Sequence, residues 1–107
     1  MVGKVRLLLV IMKTVTREKI EAELKECLHF LAGDNCPADW RADDDVLLCC
    51  DIDSMHGLEL ACDLAARLGI GIPLRENPLI EDDKDSGRKR HRTFSEVVNY
   101  LEKLAAT

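Results

Sequence analysis

A chain of 107 residues holds one domain with one core, and it is too short for a second domain or an elaborate active-site cleft. Hydrophobic residues make up 47% but aromatics only 4%, so the core must be aliphatic, a palette that suits packed helices better than a sheet. The net charge of -5 argues against non-specific nucleic-acid binding, which needs a basic surface to displace counterions, and points instead to protein partners with basic patches.

Residues 1–12 read as an N-terminal extension of the domain, with a helix extension or a packed edge strand as the alternative. The apolar run Leu7 to Met12 is too short to cross a membrane and no small-residue cleavage site follows it, so neither a span nor a secretory leader is expected. From Thr16 the pattern changes. Ile20, Leu24, Cys27 or Leu28, and Leu31 recur at three-to-four spacing, which predicts an amphipathic helix from Thr16 to Ala32. Thr16 is its N-cap, Glu18 lies in the first turn where the helix dipole favours an acid, and Gly33 is the stop. Residues 33–45 mix Gly, Asn, Pro and acids and predict a long loop, with Trp40 as an anchor folded onto the domain's edge. The short apolar run Val46 to Cys50 returns the chain to the core.

A second helix is expected after Asp53. Its stripe is Met55, Leu58, Ala61 or Cys62, Ala65 and Leu68, widened by Leu60 and Leu64, and Gly69 closes it. Ile70-Gly71-Ile72-Pro73 predicts a turn with both isoleucines inward. Residues 75–92 carry no apolar periodicity, and their charges fall into an acidic block (Glu81, Asp82, Asp83, Asp85) and a basic one (Arg88, Lys89, Arg90, Arg92). Residues 81–92 therefore read as a solvated, mobile loop insertion dispensable for the fold, preceded by a turn at Asn77 to Ile80 that docks Leu79 and Ile80. Thr93-Phe94-Ser95-Glu96 is a capping box, and Phe94, Val97, Val98, Leu101 and Leu104 form the buried face of the last helix. The expectation is an all-α fold, one domain over residues 1–107 built as a small bundle of three main helices plus a short one, with long loops.

The five cysteines are an odd number without a CxxC pair, so neither a disulfide framework nor a zinc site is expected. Cys27 and Cys62 read as small core residues, and free thiols point to a reducing cytoplasm.

The stretch that carries chemistry is Asp51-Ile52-Asp53-Ser54-Met55-His56-Gly57-Leu58-Glu59-Leu60. It places a serine in the first turn of a helix behind an acidic cap, where the hydroxyl is exposed at the helix's positive end. Ser and Asp at a helix start are common as plain caps, so the local signal alone is weak. The wider register is more informative. Asp53-Ser54-Met55, Leu58-Glu59-Leu60, the helix to Leu68, Ile70-Gly71-Ile72-Pro73 at its spacing from the serine, and Thr93 to Leu101 together resemble the acyl carrier protein family, whose second helix opens on Asp-Ser-Leu. The resemblance covers about residues 14–107 with one interruption.

What the resemblance implies is a four-helix carrier in which a phosphopantetheinyl transferase attaches 4'-phosphopantetheine to Ser54. The arm's thiol then holds acyl or related groups as thioesters, in a specialised fatty-acid, polyketide or aminoacyl pathway. Asp53 would cap the helix and lie near the transferase's metal ion, while Met55, Glu59 and Asp63 would face partner enzymes. The chain would be a monomeric cytoplasmic carrier with no catalytic residue and no metal of its own, acting as substrate for acyl-loading and acyl-transfer enzymes. Departures are Met55 for Leu, Cys50-Asp51 where Leu-Gly is usual, His56 and Gly57 where an acid and a small polar residue are common, the less acidic Ala65-Ala66-Arg67, and the longer charged segment before Thr93. The alternatives are a carrier-like interaction module that is never modified, and an enzyme or metal protein using Cys49, Cys50, His56 or His91, for which no base and nucleophile stand together.

Overall fold

The computed structural model describes residues 15–73, 75–83 and 85–106, so the expected extension at 1–12 lies outside them. Helix α1 is Arg17–Ala32, with Thr16 accepting from the backbone N–H of Lys19 at 3.2 Å and Gly33 ending it in a positive-φ conformation. Its stripe of Ile20, Leu24, Cys27 and Leu28 is buried. A single 3-10 turn, Gly33–Asn35, opens the long loop. Trp40 stacks on Phe94 with ring centroids 5.1 Å apart, so the indole is an anchor on the domain's edge.

Val46–Cys50 forms the short helix α2, capped by Asp45 and ended by Asp51 in the left-handed region. It buries Val46, Leu47 and Cys50. Helix α3 is Ser54–Leu68, closed by Gly69. Its buried face is Gly57, Leu60, Ala61, Leu64 and Leu68, not the stripe through Met55 and Leu58, which are 67% and 41% exposed. Apolar residues surround much of this helix, so periodicity alone leaves its rotation open. Cys62, expected in the core, is exposed by the same rotation.

Gly57 lies against Asn77: a Cβ there would stand 2.1 Å from the Asn77 Oδ1. Asn77 is held on both sides, its Nδ2 donating to the Ser54 carbonyl at 2.8 Å and its Oδ1 accepting from the Leu79 N–H at 2.9 Å. The turn docks Leu79, which is fully buried, and Ile80, which packs on the edge of the core.

The segment expected as a structureless loop is instead a β-hairpin. Strands β1 (Ile80–Asp82) and β2 (Lys89–His91) pair antiparallel with Glu81 opposite Arg90. The connecting turn is closed by Asp83, which accepts from the Asp85 N–H and the Ser86 hydroxyl, with Gly87 at φ 69°. Arg90 bridges Glu81 and Glu96, and the Arg92 N–H donates to the Leu79 carbonyl at 2.8 Å. Apart from Ile80 the strand residues are polar and mostly exposed, so hydrophobic alternation did not mark them.

Helix α4, Phe94–Ala105, starts with the expected capping box: Thr93 Oγ1 accepts from the Glu96 N–H and Glu96 Oε1 from the Thr93 N–H. Phe94, Val97, Val98 and Leu101 are buried and Leu104 is half-buried. Helix α1 packs against both α3 and α4. At its edges Arg67 of α3 pairs with Glu23 and Glu26 of α1, each at 3.2 Å, and Arg17 of α1 donates to Asn99 of α4 at 2.8 Å. The protein is thus mostly helical, with four α-helices and one two-stranded sheet among the described residues.

Candidate functional site

Ser54 is the first residue of α3 and is exposed. The cap is supplied by its neighbour. Asp53 Oδ1 accepts from the backbone N–H groups of Met55 at 3.0 Å and His56 at 3.3 Å, so the Ser54 hydroxyl is not consumed in capping and makes no hydrogen bond to the described residues. His56 stands where a Glu or Gln usually closes the box, with its Nδ1 2.9 Å from Asp53 Oδ1 and 3.4 Å from the Asp53 nitrogen. The shorter contact fits Nδ1 as the donor to the carboxylate. The His56 backbone N–H foremost, with its ring and the Met55 N–H, holds the Asp53 carboxyl below its ordinary range, so the carboxylate beside Ser54 stays ionised to lower pH than a free one.

A groove of about 300 Å³ begins at Ser54. Met55 and Leu58 of α3 line it, as do Arg75, Asn77 and the hairpin residues Ile80, Asp82 and Lys89. Arg75 and Lys89 form no ion pair with the described residues, although Asp82 also lines the groove. Ser54 therefore lines a trough together with three apolar side chains and two cations that pair with none of the described residues. The sequence indicated the serine and Met55, but not Arg75, Lys89 or Ile80. The hairpin brings in Ile80 and Lys89 and the segment after α3 brings in Arg75, and no local pattern announces either.

The two acids expected to face partners differ in state. Glu59 is exposed and unpaired among the described residues. Asp63 is half-buried, accepts from Arg67 Nε at 3.2 Å and takes the Cys27 thiol at 3.2 Å. The Cys27 thiol foremost, then Arg67, holds the Asp63 carboxyl below its ordinary value, while burial and the Asp63 contact push the Cys27 thiol up to about 12. Asp63 is thus part of the α1–α3 seam, and only Glu59 presents an unneutralised acid of the pair.

The residues considered for nucleophilic or metal chemistry are not assembled into a site. Burial pushes the thiols of Cys49 and Cys50 up, Asp44 and Asp45 adding for Cys49, and a thiol held protonated is a poor nucleophile. His56 belongs to the Asp53 cap, and His91 Nδ1 lies 3.0 Å from Asp45 Oδ2. Among the described residues no group of three or more His, Cys, Asp or Glu side chains could hold a metal ion, and no helix is long and apolar enough to cross a membrane. Comparison of the chain with protein-family models, with curated proteins and with solved structures found no match.

Proposed function

We propose that this chain is a carrier of the acyl carrier type, and that Ser54 is the hydroxyl to which 4'-phosphopantetheine is attached. The observation that carries the reading is the division of labour at the start of α3: Asp53 does the capping, and Ser54 is left exposed, lining a groove with its hydroxyl bound to none of the described residues. The residues fit the group. A phosphodiester on Ser54 would have Arg75 and Lys89 within the same trough, and Met55, Leu58 and Ile80 could receive the less polar part of an arm.

Bound there, the arm would supply a thiol able to hold acyl groups as thioesters. The protein's own residues orient and expose the serine. Asn77 fixes the Ser54 carbonyl, and Glu59 offers an unpaired acid one turn further along α3 for a basic patch on a partner enzyme. The exposed side chains of Met55 and Leu58 also suit an unmodified module that binds partners through α3, so modification is the discriminating measurement. With coenzyme A, magnesium and a permissive phosphopantetheinyl transferase, the full chain should gain one phosphopantetheinyl group by intact mass, and Ser54→Ala should gain none while keeping its helical circular dichroism. A wild-type chain left unmodified by several permissive transferases, or an alanine variant modified equally, would overturn the carrier reading in favour of the unmodified module.

A further inference from the structure

All five cysteines are free thiols, yet two of them touch: Cys36 Sγ and Cys50 Sγ are 3.4 Å apart. They come from separate elements. Cys36 follows the 3-10 turn, with its N–H bound to the Gly33 carbonyl, and Cys50 is the last residue of α2 and has no exposed surface. We infer that Cys36 and Cys50 are a thiol–disulfide site, which a small disulfide such as glutathione disulfide oxidises to an internal bond while Cys27, Cys49 and Cys62 stay reduced.

Geometry and access select the pair. A disulfide needs its sulfurs at about 2.05 Å, so closure asks the two to approach by only ~1.4 Å. Cys36 is half-buried and lines an open groove of about 510 Å³ beside Lys25, His29 and Trp40. Cys50 does not line it, so the entry thiol is Cys36 and the resolving thiol is Cys50. The groove also holds Glu26 and Asp34 beside its two basic side chains, so it offers a route to the sulfur and not strong attraction for an anionic reagent. Cys27 is engaged with Asp63 instead, and neither Cys49 nor Cys62 has a sulfur contact among the described residues.

In the first step the Cys36 thiolate attacks one sulfur of the small disulfide, forming a mixed disulfide and releasing one small thiolate. Cys50 then loses its proton to that thiolate and attacks the Cys36 sulfur, releasing the second small thiolate, which takes up the proton that Cys36 gave to solvent on ionising. Two protein thiols are oxidised, one disulfide is reduced to two thiols, and the hydrogens balance. Burial foremost, then the neighbouring Cys36 thiol, pushes the Cys50 thiol well above its ordinary range, which makes the second step the slow one.

The full chain is incubated with glutathione disulfide at neutral pH, free thiols are then alkylated, and the digest is read by mass spectrometry. The expected product joins Cys36 to Cys50 with the other three cysteines alkylated, and selectivity is lost when the same reaction is run in denaturant. Cys49→Ala should keep the bond, and Cys50→Ala should stop at a mixed disulfide on Cys36. Because the bond closes the segment between Cys36 and Cys50, oxidation should also raise Tm by roughly 10 °C. Alkylation of all five cysteines, a native-state bond to Cys49, or links between chains would overturn the inference. None of these outcomes depends on Ser54 being modified.

Discussion

Replacing Gly57 by alanine tests the contact that places the start of α3. In an ordinary helix interior Gly→Ala gains about 1 kcal/mol, because glycine loses more backbone freedom on folding. Here the added methyl would meet Asn77 at 2.1 Å and must displace its amide. Displacement breaks the bonds to the Ser54 carbonyl and from the Leu79 N–H. At about 1 kcal/mol each, their loss costs about 2 kcal/mol. The helix gain offsets about half of that, leaving Gly57→Ala destabilising by ~1 kcal/mol. In an Asn77→Ala background the clash and both bonds are already gone, so the same substitution should stabilise by ~1 kcal/mol, a coupling of ~2 kcal/mol. Urea unfolding of the four proteins at one pH measures it. A Gly57→Ala protein more stable than wild type, or equal effects in the two backgrounds, would refute the reasoning.

Two further predictions concern the hairpin and its junction with α4. Arg90 foremost, with the Thr93 N–H, holds the Glu96 carboxyl at about 2, below the ordinary 4.5. A depressed native value means that its stabilisation is complete above the ordinary carboxylate range and is lost as pH falls from about 4.5 toward about 2. Glu96→Gln should therefore lose less Tm than wild type between about pH 6 and about pH 3, and parallel curves would count against the assignment. Residues 82–89 replaced by a short Asn-Gly turn should fold with nearly unchanged stability, since the described residues of that stretch are all exposed and add no core burial, whereas Leu79→Ala should cost ~2–5 kcal/mol in urea unfolding. Equal losses in the two variants would mean that the strands, and not the docked leucine, hold the segment.

The helix ends were readable because their signals are local. Thr16, Asp53 and Thr93 cap through atoms within three residues, and Gly33 and Gly69 supply the positive φ that stops α1 and α3. The rotation of α3 was not readable, since Met55, Leu58, Leu60, Ala61, Leu64 and Ala65 allow more than one apolar face. The deciding contact is Gly57 against Asn77, twenty residues away in sequence. Asp63 was ambiguous for a related reason. It stands one turn from both Glu59 and Arg67, and only the packed α1, with Cys27 and Glu23, draws it into the seam. The position of Ser54 at the start of α3 was legible from the register, while the residues the hairpin adds to its groove depended on strands held by ion pairs and backbone bonds.

Asp45 joins more than a cap. Its carboxylate accepts from the Leu48 N–H at the start of α2 and lies against the His91 ring at the end of β2, while its backbone pairs with Thr93. The next bonds, from Phe94 to the Asp44 carbonyl and from Ser95 to the Ala42 carbonyl, extend the same seam. Three element ends thus share one hinge post. The first turn of α4 cannot fray alone, because opening it also unseats the entry to α2 and the last residue of the hairpin, so these amides form a single cooperative opening unit although they span half the chain.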